Sequence, residues 1–188
     1  MRVQEYSPRW QTKVSALANR VLGKGFFENP SEISQDPESC VFVCITDDEE
    51  ASGFVCGRLL PQGDLRVFLE HRVADIPPDL DKADAEGVLG VIQTVVVAPE
   101  YQGKGIGTRL LRVVHDTIVG IGADKLIVTF KRGSTSTHVG RLMDKLDFEF
   151  WLKLDTYWKT RCDHGDFTCV DRYETCNCEA MFYRKRVF

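Results

Sequence analysis

The chain lacks any stretch close to the roughly 20 consecutive apolar residues that a membrane helix needs. Its opening residues, Met1 to Tyr6, also lack the basic-then-apolar plan of a signal peptide. These absences lead to the expectation of a cytoplasmic protein with no membrane partner. A basic excess is missing too: 24 Lys and Arg stand against 28 Asp and Glu, a net charge of -4. Nucleic-acid binders carry a concentrated basic face, so none is expected as a partner, although local positive groups can still hold an anionic cofactor. A disulfide framework is disfavoured by an odd total of 7 cysteines without a secretion signal. Cys40, Cys44 and Cys56 lie in apolar stretches and read as buried thiols. No repeat, low-complexity tract or linker divides the 188 residues, so residues 1–188 are expected to form a single domain.

What is present alternates between two periods. Ser7-Pro8 is a helix start, followed by Trp10, Val14, Leu17 and Val21 at helical spacing and ended by Gly23. Residues 40–46 and 52–60 read as two strands joined by an acidic turn, and Leu65 to His71 as an extension of that antiparallel sheet. Residues 75–86, rich in Asp and holding two prolines, read as a loop. Val88 to Ala98 is a continuous apolar run, as in a strand covered on both faces. A helical stripe from Ile106 to Ile121, a strand at 125–130, a helix at 139–146, and strands at 148–159 and 179–187 complete the chain. This order predicts a mixed α/β fold, a mainly antiparallel sheet with helices on both faces.

The segment with chemical content runs from Val95 to Leu111. A buried strand ends at Pro99, and a helix begins near Gly105. Glycines at 103, 105 and 107 leave the turn between them free of Cβ atoms, so a ligand can approach the main chain. The first amides of a helix have no internal partners and, with the helix dipole, form a site for phosphate or diphosphate. Lys104 and Arg109 add positive charge. No Gly-Lys-Ser/Thr follows at Walker spacing, and the strand sits mid-chain after a hairpin rather than opening a βαβ unit.

Gln102, Gly105 and Gly107 meet the pattern Gln/Arg-x-x-Gly-x-Gly/Ala, and the segment resembles the acyl-CoA-binding motif of the GNAT superfamily of N-acetyltransferases. The likeness extends from the first helix to about Trp158. Arg141 to Phe148 is similar to the family's helix before its sixth strand, with Asp147 where glycine is common. The resemblance implies transfer of an acetyl group from acetyl-CoA to a primary amine of a small molecule or protein by direct attack. It implies that the main chain of Val95, Val96 and Val97 pairs with the pantetheine arm, and that Gln102, Gly103, Lys104, Gly105, Ile106, Gly107 and Thr108 hold the diphosphate. Ser136 stands where the family has an asparagine, and Met143 where it often has an acidic tyrosine; a thioether has no proton to give. These departures leave a catalytically silent acyl-CoA-binding protein as the alternative. Family members often dimerise through terminal strands, which leaves a homodimer open.

Deprotonation of an amine calls for a base. The candidates beside the central strand are Gln93, Thr94 and Glu86, with Glu70 and His71 behind them; Gln93 could only orient water. The acidic stretch at 75–86 either draws a cationic acceptor, such as a polyamine, an aminoglycoside or a lysine side chain, or is a solvated loop. Near the carboxyl end, Cys162, His164, Cys169, Cys176 and Cys178 fall in a Cys-rich hairpin insertion at 160–180, before the last strand. Residues two apart on a strand point the same way. Four of these five could therefore hold a structural zinc, the alternatives being ordinary thiols or a labile Cys162–Cys178 disulfide.

Overall fold

The structure is a computed structural model describing residues 1–27, 29–132, 139–166, 168–170 and 178–187, with the side chains of residues 132, 160 and 169 excepted. Its framework is a seven-stranded sheet. Strand β1 (Arg2–Glu5) lies at one edge beside β3 (Ser39–Ile45), then come β4 (Ala51–Leu59), β5 (Leu89–Val97), β6 (Lys125–Arg132), β9 (Glu179–Arg186) and, at the far edge, β7 (Glu149–Leu154). Every neighbouring pair is antiparallel except β5 and β6. The mixed, mainly antiparallel sheet with helices on both faces is as the sequence predicts. A separate ladder joins β2 (Gly23–Lys24) to β8 (Thr168–Cys169).

One face is covered by α5 (Ile106–Gly120), which buries Ile106, Leu110, Leu111, Val114 and Ile118 along a single stripe. The helix sits close because glycines lie beneath it. A Cβ on Gly57 would stand 2.5 Å from Ile118 Cδ1, and one on Gly90 would stand 2.5 Å from both Ile118 Cγ2 and Leu126 Cδ2. Helix α6 (Val139–Asp144) adds Met143 to this core. On the other face α1 (Gln11–Val21) buries Val14, Leu17 and Ala18 against Val41, Val43 and Phe54. Next to it, α3 (Leu65–Phe68) and α4 (Pro78–Ala85) pack with Tyr157, Trp158 and Phe182. Two short helices, α2 (Pro30–Ile33) and α7 (Lys159–Asp163), lie in the connections.

Several sequence expectations are corrected here. Leu65 to His71 is not a strand. Val67 is 57% exposed between the buried Leu65 and Leu69, and the Leu65 amide donates to the Asp84 carboxylate at 3.1 Å, which holds a helical turn. Residues 75–86 are not a loop but largely α4, which opens on Pro78 with Asp79 and Asp81 in its first turn, where the helix dipole favours acids. The strand expected at 148–159 stops at Leu154, because Thr156 takes a left-handed φ of 55° and Tyr157 and Trp158 turn into the apolar cluster. The sequence reading also passed over β1. Asp147, in contrast, has φ 57°, the conformation that makes glycine common at that position.

The close fit under α5 predicts opposite outcomes at two glycines. Gly90→Val forces side chains into Ile118 and Leu126 and should cost about 1–3 kcal/mol. Gly120→Ala, where a Cβ meets nothing within 4 Å, should stabilise by about 0.5–1 kcal/mol. Urea midpoints of the two variants check both signs.

Candidate active site

The site begins with a fault in the central strand. Cys56 pairs with Thr94 and Gly57 with Ile92, so Gln93 has no counterpart on β4. Before this bulge, Leu60 N–H donates to the Leu89 carbonyl at 2.8 Å, so Leu89 and Val91 bond β4 while Gly90 and Ile92 face β6. After it, Ala98 N–H donates to the Ser52 carbonyl at 2.9 Å, so Thr94 and Val96 bond β4. Main-chain groups of Val95 and Val97 therefore turn toward β6. But β6 pairs only with Leu89–Ile92. The two parallel strands part there, and among the described residues no strand pairs with the edge along Val95 and Val97. Val96 is the exception among the three valines: its carbonyl oxygen lies against β4, 2.8 Å from where a Gly53 Cβ would stand.

The edge runs into the glycine turn. After a 3-10 turn at Pro99–Tyr101, Gly103 and Gly105 take φ of 74° and 75°, and a Cβ on either would meet nothing within 4 Å. Gln102 folds back, its Nε2 donating to the Val97 carbonyl at 3.2 Å. The first helical bond of α5 is Arg109 N–H to the Gly105 carbonyl, 3.1 Å. Amides of Ile106, Gly107 and Thr108 precede that bond and face outward at the positive end of the helix. Lys104 lies 4.9 Å over the Tyr101 ring, while Arg109 leans toward the Met1 carbonyl at 3.5 Å.

Between the splayed strands opens a cavity of about 570 Å³. At one end it meets the glycine turn. Toward the other it is bounded by Gln93, Thr94, Thr129, Phe26 and Trp158, and among the described residues Arg20, Lys131 and Lys145 bring cations to its walls. A strand edge with free amide partners beside an anion-binding helix start suits a long ligand that carries both amides and a diphosphate.

Of the candidate bases, Gln93 and Thr94 reach the cavity. The Thr94 hydroxyl is engaged with the Cys56 thiol, whose pKa burial pushes up to about 12. Glu86 is a correction: it caps α4 ahead of β5, at the strand end away from the turn, and pairs with Lys82 at 3.7 Å. Glu70 and His71 close the turn after α3, with φ of 53° and 55°, and are absent from the cavity wall. No Asp, Glu or His stands among the described lining residues. Met143 is also misplaced by the sequence reading, since it is fully buried in the core while Val139 and Leu142 face the cavity. Ser136 lies outside the described residues.

The metal reading finds no support among the described residues. No group of three His, Cys, Asp or Glu residues among those described is arranged to hold an ion. With β7 ending at Leu154, Cys162 falls on α7 rather than on a strand facing Cys178. Cys178 is buried in the cluster of Phe182 and Trp158, and His164 is exposed. Cys162 and Cys178 form no disulfide. Cys176 and the side chain of Cys169 lie outside the described residues. Sequence reasoning gave Phe26, Thr129, Lys131, Lys145 and Trp158 no role in a site. Thr129 and Lys131 share β6, the others come from three further segments, and no spacing signal links them.

Residues 4–148 match the acetyltransferase (GNAT) family. The chain belongs to that family. It is an acetyltransferase of the GNAT type. No curated protein matches its sequence. Among solved structures it resembles Arabidopsis thaliana NAA60 in complex with acetyl-CoA, at TM-score 0.67 and 14% identity over 99% of this chain and 98% of that one. It also resembles the ribosomal-protein-alanine N-acetyltransferase from Brucella melitensis, at TM-score 0.66 and 15% identity over 100% of both chains. An N-acetyltransferase from Staphylococcus aureus Mu50 gives 0.65 and 14%, covering 100% and 98%. At such identities the likeness concerns the fold. No helix among the described residues of this acetyltransferase is long and apolar enough to cross a membrane.

Two glycines of the turn should respond differently to alanine. Gly107 has ordinary helical geometry, and a Cβ there makes normal 3.7 Å contacts with Leu142 and Val97, so Gly107→Ala should keep its acetyl-CoA affinity. Gly105→Ala must hold a left-handed residue at a cost of about 1–2 kcal/mol and should weaken binding about tenfold. Titration calorimetry with acetyl-CoA measures both.

Proposed function

We propose that residues 1–188 form one cytoplasmic N-acetyltransferase domain. It moves the acetyl group of acetyl-CoA directly to a primary amine of a small molecule or protein. The observation that carries this reading is the edge at Val95 and Val97, unpaired among the described residues, leading straight into the amides of Ile106, Gly107 and Thr108. Bound acetyl-CoA supplies an activated acetyl carbon that a neutral amine can attack. Val95 and Val97 bind the pantetheine amides through the main chain, and their N–H groups are the donors nearest to steadying charge on the carbonyl oxygen. The start of α5 holds the diphosphate, with Gly103 and Gly105 allowing close approach and Lys145 and Lys131 adding charge. Gln93, at the bulge, orients the amine or a water beside it.

A second reading, a silent acyl-CoA binder, is favoured by the lack of Asp, Glu or His among the described wall residues. One assay separates the two: release of CoA from acetyl-CoA across a panel of amines between pH 6 and 9.5. Turnover that climbs with pH as each acceptor loses its own proton is the expected outcome. Acetyl-CoA binding with no CoA release from any amine supports the silent reading.

A further inference from the structure

The cavity reaches both faces of the sheet, and acetyl-CoA accounts for one of them. Val95 and Val97 pack with α5, Val139 and Leu142 on the face that carries the helix start. Val96, between them, packs on the opposite face with the end of α1. On that second face Val21, Leu22, Phe26, Trp158 and Val170 line the cavity. Val21, Leu22 and Phe26 are each partly open, and Val170 is 46% exposed. The β2–β8 ladder pairs Gly23 with Cys169, so the next residues beyond it, Leu22 and Val170, stand together on this flank. Deeper in, the Phe26 and Trp158 rings lie 5.3 Å apart between centroids.

Polar groups on the flank are sealed or engaged. Trp158 Nε1 and Thr129 Oγ1 have no surface open to solvent, so neither side chain offers a polar atom to a ligand. The Thr94 hydroxyl is taken by the Cys56 thiol, and Arg20 is held by Glu100 at 2.9 Å. No carboxylate stands among the described walls. Acids of the 75–86 stretch, which the sequence offered as a lure for cations, are paired elsewhere: Asp79 with Lys125 at 3.1 Å, Asp81 with Arg66 at 3.7 Å. Among the described walls a second positive charge on the acceptor finds no partner. A hydrocarbon group, in contrast, exchanges water for valine, leucine and aromatic surface.

We propose that the acceptor bears its primary amine on an apolar group, aryl or alkyl, and carries no second positive charge. The amine stands by Gln93 at the bulge, and the apolar group lies on Leu22, Phe26 and Val170. Each methylene moved from water onto this flank favours binding about fourfold. A small arylalkyl- or alkylamine presents this chemistry, and so does a free amino terminus whose first residue is Phe or Leu. Polyamines and aminoglycosides do not.

The inference rests on the acetyl-transfer reading above, and the experiment keeps the two apart. CoA release from acetyl-CoA is followed with ethylamine, butylamine, hexylamine, phenethylamine and spermidine. Straight-chain amines share one pKa, close to the lysine value of about 10.4, so their neutral fractions match at any pH and the series reads apolar contact alone. From ethylamine to butylamine, and again to hexylamine, kcat/KM should rise about tenfold. Hexylamine and phenethylamine should both exceed spermidine. Val170→Ser, at an exposed position, should lower the hexylamine value about tenfold and flatten the series, while the Kd of acetyl-CoA and the melting temperature stay unchanged. Two lysine-free peptides differing only in a first residue of Phe or Ser identify the source. A preference for Phe matching that for phenethylamine over ethylamine marks a peptide, and turnover of the amines alone marks a small molecule. A flat series, a series unaltered in Val170→Ser, or spermidine turned over as well as hexylamine overturns the apolar-acceptor inference alone. Absence of turnover with every amine and peptide overturns it together with the transfer reading.

Discussion

The site depends on one irregularity in hydrogen bonding, the unmatched residue Gln93 in β5. An ordinary strand alternates its main-chain groups between its two neighbours without interruption. One extra residue inverts that alternation and bends the strand, and here it does so where β5 leaves β6. Without the bulge, Val95 and Val97 would bond β4, and the edge facing the cavity would present the groups of the intervening residues. Ligand contacts thus depend on the register between β4 and β5 as much as on the identity of the residues that make them.

A second constraint fixes what the edge leads to. Helix α5 must start where β5 ends, and its position is set by close packing along its length rather than by the turn. The rows of Ile106, Leu110, Val114 and Ile118 over Gly53, Gly57 and Gly90 seat the helix on the sheet. The turn at Gly103 and Gly105 then only has to span a short gap. With no side chain capping its first residues, the helix keeps its leading amides for a ligand.

How much of this was legible in the sequence follows from the range over which each feature is encoded. The motif at Gln102, Gly105 and Gly107 is contiguous, and its strand–turn–helix setting could be read from neighbouring residues alone. Helix α4 was also encoded locally, by Pro78, Asp79 and Asp81, but its charge density was mistaken for a solvated loop. Val67 at the surface between Leu65 and Leu69 would have signalled a helical turn only if its exposure were known. The bulge depends on pairing with β4 and leaves no mark in β5 itself. Phe26, Thr129 and Trp158 line one cavity from β6 and two separate connections, and no spacing rule links them. Met143 shows the converse, since the position matched to the family's proton donor proved to be core, α6 presenting Val139 and Leu142 to the cavity instead.

The ladder between β2 and β8 joins only two residue pairs, apart from the main sheet. So short a clasp is among the first parts of a fold to come undone, and it can part while every strand of the large sheet stays bonded. Its loss would therefore leave the strand edge at Val95 and Val97 and the start of α5 in place.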